Sequence, residues 1–189
     1  MGRKRNWRPN VYYHVIMRGN NRENIFNTPE DMYHLLRIIN HAHETFHFSM
    51  VSFCIMTNHY HFLIKSDVEL SRIMGHINRR YSDYYSRRYN HVGRIYQQRY
   101  TPILVESPQA ALAVSRYIHR NPIKTKTPMV NELIDYPFSS FPVYAGGQAV
   151  GWRFLDTETL LSYMHPPAVG TLREYVDYCL AELEEEVEV

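Results

Sequence analysis

Cysteine is scarce: Cys54 and Cys179 are the only two, far apart and in no Cys-x-x-Cys pair. That excludes a disulfide framework and a thiolate zinc site, and points to a reducing, cytoplasmic setting. No apolar run approaches the roughly eighteen residues of a transmembrane helix, so no membrane role is expected. The basic start MGRKRNWRPN lacks the apolar segment of a secretory signal, and its Met-Gly opening lacks the Ser or Thr of a myristoylation site. Internal repeats and low-complexity linkers are missing as well. What remains is a chain of 189 residues, 44% hydrophobic and 21% charged, which suits one globular domain with a terminal appendage.

Acid is in short supply over most of the length. Residues 1–126 hold 19 Lys and Arg against 8 Asp and Glu, an excess of +11. Residues 127–189 reverse this, with 2 against 11, so the net charge of +2 hides a basic body and an acidic end. A basic body suits a polyanion, and its arginine-rich character suits phosphate. The sixteen tyrosines would suit stacking on unpaired bases. Composition alone does not separate this from a merely solvated basic face.

The order of elements can be read from periodicity. VYYHVIMRG (11–19) reads as a strand ending in a Gly-Asn-Asn turn. Thr28-Pro29-Glu30-Asp31 opens a helix through Phe46. FSMVSFCIM (48–56) and HYHFLIK (59–65) read as strands joined by a hairpin at Thr57-Asn58. Residues 68–89 form a long helix with Leu70, Ile73, Ile77, Tyr81 and Tyr84 on one stripe. RYTPILVES (99–107) is a strand that Pro102 confines to an edge, and Ser107-Pro108 caps a helix stopped by Pro122. Strand, helix, strand, strand, helix, strand, helix is the split βαβ plan of an α+β, ferredoxin-like sandwich, with a mostly antiparallel sheet and helices on one face. Residues 129–145 look irregular with short helical pieces, and 170–187 reads as an acidic terminal helix.

Chemistry concentrates in two places. In a strand, His59 and His61 share a face while Tyr60 turns to the core. Two imidazoles can hold a divalent ion with open positions, given a third group; on spacing alone, structural histidines are the commoner reading. On the helix 109–121, Tyr117 and Asn121 are four apart and share a face. Asn121 could supply an amide oxygen and Tyr117 a phenol, though a packing tyrosine and a helix-ending asparagine fit the same letters. His119, two residues from Tyr117, points elsewhere.

NHYHFLIK resembles the His-hydrophobe-His motif of the HUH endonuclease superfamily, and RYIHRNPIK resembles the tyrosine-bearing helix of its single-tyrosine transposases. With YYHVIMRGNNRENIF near the start and DYPFSSFPVYAG (135–146) downstream, the chain resembles the REP-associated tyrosine transposases over roughly residues 9–146. The resemblance implies a transposase domain over 1–146 with an N-terminal basic arm, and a C-terminal acidic helical tail over 147–189. It makes His59 and His61 the metal ligands, Asn121 the third ligand and Tyr117 the nucleophile. It implies Mg²⁺ or Mn²⁺ and, as partner, single-stranded DNA folded as a hairpin like a repetitive extragenic palindrome. Cleavage would pass through a 5′-phosphotyrosine, and the protein would be cytoplasmic and nucleoid-associated, a monomer or a homodimer.

Candidate DNA contacts are the arm residues Arg3, Lys4, Arg5 and Arg8, and Arg18, Asn20, Asn21 and Arg22 of the RGNNRE turn. Arg79 and Arg80 of the long helix join them; they stand among Tyr81, Tyr84, Tyr85 and Tyr89, which packing explains as well as DNA. The acidic end AELEEEVEV reads as a solvated tail or as a DNA mimic over the basic site. Two alternatives to the transposase reading are a hairpin-DNA binder without cleavage and a His-x-His metallohydrolase of small phosphoesters. The complete set of four site residues weighs against the first, and the basic body against the second.

Overall fold

The computed structural model describes residues 7–146, 151–166 and 168–182. Strand β1 (Tyr12–Arg18) leads through a turn into α1 (Pro29–Phe46), then β2 (Ser49–Ile55), β3 (His59–Lys65), α2 (Leu70–Tyr89), β4 (Thr101–Val105) and α3 (Pro108–Arg120). The short α4 (Phe141–Tyr144), α5 (Glu158–Met164) and α6 (Leu172–Leu180) follow. The sheet runs β2-β3-β1-β4, with every neighbouring pair antiparallel. Thus β1-α1-β2 is a βαβ unit split by β3, and β3-α2-β4 one split by β1: the expected α+β plan. Pro102 lies on β4, which pairs only with β1 and so spares it a ladder bond.

The period of two sorts the central strands onto two faces. Tyr13, Val15 and Met17 share one face with Tyr60, Phe62 and Ile64, and all six are buried. Over this face lie α1, through Leu35, Leu36 and Ile39, and α2, through Ile73, Met74 and Ile77. Each such side chain taken from water stabilises by about 1.5–3 kcal/mol. Asp31 locks the two helices together. Fully buried, its carboxylate accepts the backbone N–H of Asn27 at 2.8 Å and of Thr28 at 3.0 Å, and hydroxyls from Tyr84 at 2.8 Å and Tyr89 at 2.7 Å. Tyr81 donates to the Ile25 carbonyl at 2.5 Å. Tyr81, Tyr84 and Tyr89 of α2 thus have their hydroxyls engaged within the protein.

The opposite face carries His14, Ile16 and Arg18 of β1 beside His59, His61 and Leu63 of β3. Here the fold goes beyond the expectation of helices on one face: α1 and α2 share a face, and α3 forms a layer on the other. Its burying side is polar as well as apolar. His119 meets Ser140 Oγ at 2.7 Å and the Tyr175 hydroxyl at 3.1 Å, and Tyr175 in turn donates to Ser115 Oγ at 2.9 Å. The segment read as irregular, 129–145, and the chain around Asp156 guard β2's outer edge. Ile55 donates to the Phe138 carbonyl at 2.9 Å and Asp156 to the Met50 carbonyl at 2.9 Å, leaving less of a template for stray strands.

Within the expected 170–187, helix α6 covers Leu172–Leu180. A capping box between Thr171 and Glu174 starts α6, and extended backbone at Ala181 ends it. Arg116 of α3 reaches the carbonyls of Tyr178, at 2.9 Å, and Ala181, while Arg120 reaches that of Cys179 at 2.9 Å. Guanidinium donors on the last carbonyls complement the negative helix end. The remaining acidic run, 183–189, lies outside the described residues.

Candidate active site

The site forms where α3 crosses β3 and β1. Ser107 starts α3 by accepting the Ala110 N–H at 3.1 Å, and Pro108 fits the first turn. Asn121, just past the helix end, keeps helical backbone angles (φ −49, ψ −44), so it stays on Tyr117's face. Its Nδ2 donates to the Tyr117 carbonyl at 2.9 Å. That leaves Oδ1 as the polar atom for the His59 imidazole, with which the Asn121 side chain interacts.

Tyr117 stands edge-on to two imidazoles, with ring centres 5.6 Å from His61 and 5.9 Å from His14. It is 45% exposed, so a substrate can reach the phenol that the histidines back. His59 and His61 lie 5.0 Å apart, nearly perpendicular. The four residues singled out from sequence thus converge within one chain.

Each histidine has its Nδ1 held by a neighbouring side chain. His59 Nδ1 pairs with Asn58 Oδ1 at 2.6 Å, and His61 Nδ1 with His14 Nε2 at 2.9 Å. The Nε2 atoms of both remain for a ligand. Burial pushes His59 down to about 4, with the Arg18 cation adding. Burial also holds His61 well below the usual imidazole range, helped by His59, His14 and Arg18. Both rings are therefore neutral near pH 7, the state in which imidazole ligates. Two neutral nitrogens and one amide oxygen fit a divalent cation that keeps open positions for phosphate oxygens or water. They do not make a closed site, and among the described residues no three His, Cys, Asp or Glu are grouped to hold a metal.

The RGNNRE turn abuts the site. Arg18 is the register partner of His59 and is exposed. Gly19 donates to the Asn58 carbonyl at 2.8 Å, Asn58 Nδ2 donates to the Arg22 carbonyl at 2.9 Å, and Ile25 and Phe26 both donate to Thr57. Asn20, Asn21 and Arg22 form one 3₁₀ turn, with Asn21 and Arg22 at positive φ. The turn is thereby bolted to the loop that introduces His59.

Other candidates are placed differently. Arg79 and Arg80 line an exposed hollow with His34, His76 and Arg87 on the α1–α2 layer, across the sheet from Tyr117. Arg8 lies against Glu106, its Nη1 3.5 Å from the carboxylate. Arg3, Lys4 and Arg5 fall outside the described residues. His119, held to about 3 by burial, faces the α4–α6 core. The residue sequence reasoning missed is His14, which touches both His61 and Tyr117. The available signal was its place on β1, two residues from the position that pairs with His61.

The fold is one already seen in a solved structure. A REP-associated tyrosine transposase bound to a REP hairpin superposes with a TM-score of 0.65 at 19% identity, over 77% of this chain and 86% of that one. A candidate transposase from Deinococcus radiodurans R1 superposes more loosely, with a TM-score of 0.43 at 18% identity, over 64% of this chain and 97% of that one. No curated protein matches the sequence. The sequence model of the IS200-like transposases matches residues 8–121. The chain belongs to the IS200-like transposase family, and so to the DNA-binding proteins of DNA transposition. Among the described residues no helix is long and apolar enough to cross a membrane.

Proposed function

We propose that the protein is a metal-dependent endonuclease and strand transferase for single-stranded DNA, acting beside a hairpin through a covalent tyrosine intermediate. The observation that carries this reading is the Tyr117 ring 5.6 Å from His61, with Asn121 and His59 alongside. His59, His61 and Asn121 would hold Mg²⁺ or Mn²⁺. A divalent ion there supplies charge neutralisation at the scissile phosphate. Phosphoryl transfer asks chiefly for such positioning and electrostatics.

Tyr117 Oη attacks phosphorus in line. Its O–P bond forms as the bond to the 3′ oxygen breaks, the phenol proton leaves, and the freed 3′ oxygen takes a proton to become a hydroxyl. The 5′-phosphotyrosine keeps the phosphoester, so attack by a 3′-hydroxyl rejoins the strand without ATP. Arg18, Asn20, Asn21 and Arg22 lie beside His59 and would hold the flanking strand. Arg79 and Arg80 would meet only DNA that wraps past the far layer. The hairpin as partner is supported by the REP hairpin in the structurally similar transposase. One chain carries the whole set, which supports action as a monomer.

The test is incubation with a labelled single-stranded hairpin and Mn²⁺, read on a denaturing gel. The wild type is expected to form a protein–DNA adduct and Tyr117→Phe none. Binding without an adduct in the wild type would make the protein a hairpin binder and overturn the reading.

A further inference from the structure

We infer that His14 is a positioning residue: its Nε2 accepts the Nδ1–H of His61 and so holds His61 in the tautomer whose Nε2 lone pair faces a cation. The inference rests on the reading of His61 as a ligand and deepens it. The geometry comes from the strand register. His61 pairs directly with Ile16, which puts His14 on the diagonal of the same face. Diagonal neighbours stand too far apart for short side chains but within reach of rings. His14 spans that gap: the imidazole centres are 5.1 Å apart, tilted by 30°, and the nitrogens 2.9 Å.

The heavy atoms alone do not say which ring donates. The demands on His61 do. A neutral imidazole has one N–H and one lone pair. If His14 donated instead, His61 would present an N–H at Nε2 and could not ligate there. His14 therefore has to be the acceptor, with its own proton on Nδ1. Its side chain is only 6% exposed, so water competes poorly for this bond. His59 has the matching arrangement, with Nδ1 on Asn58 Oδ1 at 2.6 Å. Both proposed ligands are thus oriented through Nδ1, the pattern of imidazole ligands held by an outer partner. The same His14 ring stands edge-on to Tyr117 at 5.9 Å, so it also walls the nucleophile's position.

Two readouts test this without DNA cleavage. Proton–nitrogen NMR of the histidine side chains in the metal-free wild type should show His61 as the Nδ1–H tautomer. Mn²⁺ titration by calorimetry should show binding that weakens by about 10–100-fold in His14→Leu, with His61 shifting to Nε2–H. In His14→Gln an amide oxygen takes the place of Nε2, so it should restore both the tautomer and most of the affinity. A wild-type His61 protonated at Nε2 overturns the inference outright, even if the leucine variant fails to fold. So does a His14→Leu protein with unchanged tautomer and Mn²⁺ affinity, or a His14→Gln protein no better than the leucine variant. A wild type that is Nδ1–H at His61 yet binds no Mn²⁺ sinks the cation site itself, and the purpose given to His14 with it.

Discussion

Gly19→Ala is a sharp test of how the site is built, because only one thing opposes the change. The backbone at Gly19 (φ −61, ψ 149) is ordinary for alanine, so no conformational penalty enters. The obstacle is contact: a Cβ there would lie 2.3 Å from the Glu23 carbonyl oxygen and 2.9 Å from Ile25 Cγ2. Relief needs a backbone shift of about 1 Å in a turn pinned by Gly19 N–H to Asn58 and Asn20 N–H to Ile95, each at 2.8 Å. Overpacking of this kind costs about 1–3 kcal/mol. With urea slopes of about 1–3 kcal/mol per molar, the midpoint should fall by on the order of 1 M. Adduct formation should fall further than the lost folded fraction explains, since a shift of about 1 Å near reacting groups can cost about 100-fold. Gly75→Ala is the control: its Cβ meets nothing within 4 Å, inside α2, so it should stabilise by about 0.5–1 kcal/mol. An unchanged urea midpoint and adduct rate in Gly19→Ala would refute the claim that this turn is wedged against the site.

Acid should unfold the protein through its buried imidazoles. Burial lowers His14 and His59 to about 4 and His119 to about 3, so each is neutral when folded and protonated below about 6.5 when unfolded. The unfolded state then binds more protons, and stability falls as pH drops from about 6.5 toward 4, by up to about 1.4 kcal/mol per pH unit for each group. Urea midpoints that stay level between about pH 7 and pH 5 would contradict this linkage. Separately, Tyr175→Phe removes the hydroxyl shared by Ser115 and His119 and should cost about 1–3 kcal/mol. A change within experimental error in its melting would show that the α3–α6 knot does not depend on that hydroxyl.

The legible part of the fold was whatever a single period reveals. The alternation in HYHFLIK set His59 and His61 on one face, and a spacing of four set Asn121 beside Tyr117; both geometries are present in the folded chain. Their meeting depends on α3 crossing the sheet, which neither period encodes. His14 is illegible for the same reason, since its link to His61 exists only in the β1–β3 register. The layer that carries Arg79 and Arg80 follows from the strand period together with one long-range contact. With Tyr60 under α2, donating to Asn78 at 2.5 Å, α2 must lie across the sheet from the histidines. At the C-terminus the two α3 arginines take the last carbonyls of α6 near residue 181, a long-range contact that no local period encodes.

The central claim is that Tyr117 itself becomes bonded to DNA, and peptide mapping reads this directly. Trypsin cuts after Arg116 and Arg120, so residues 117–120 leave as one tetrapeptide, YIHR. After reaction with hairpin DNA and Mn²⁺ and nuclease trimming, mass spectrometry should find a 5′-linked nucleotide on that tetrapeptide. The partner fragment should end in a free 3′-hydroxyl. A nucleotide on any other peptide, or full cleavage with the tetrapeptide unmodified, would contradict the account.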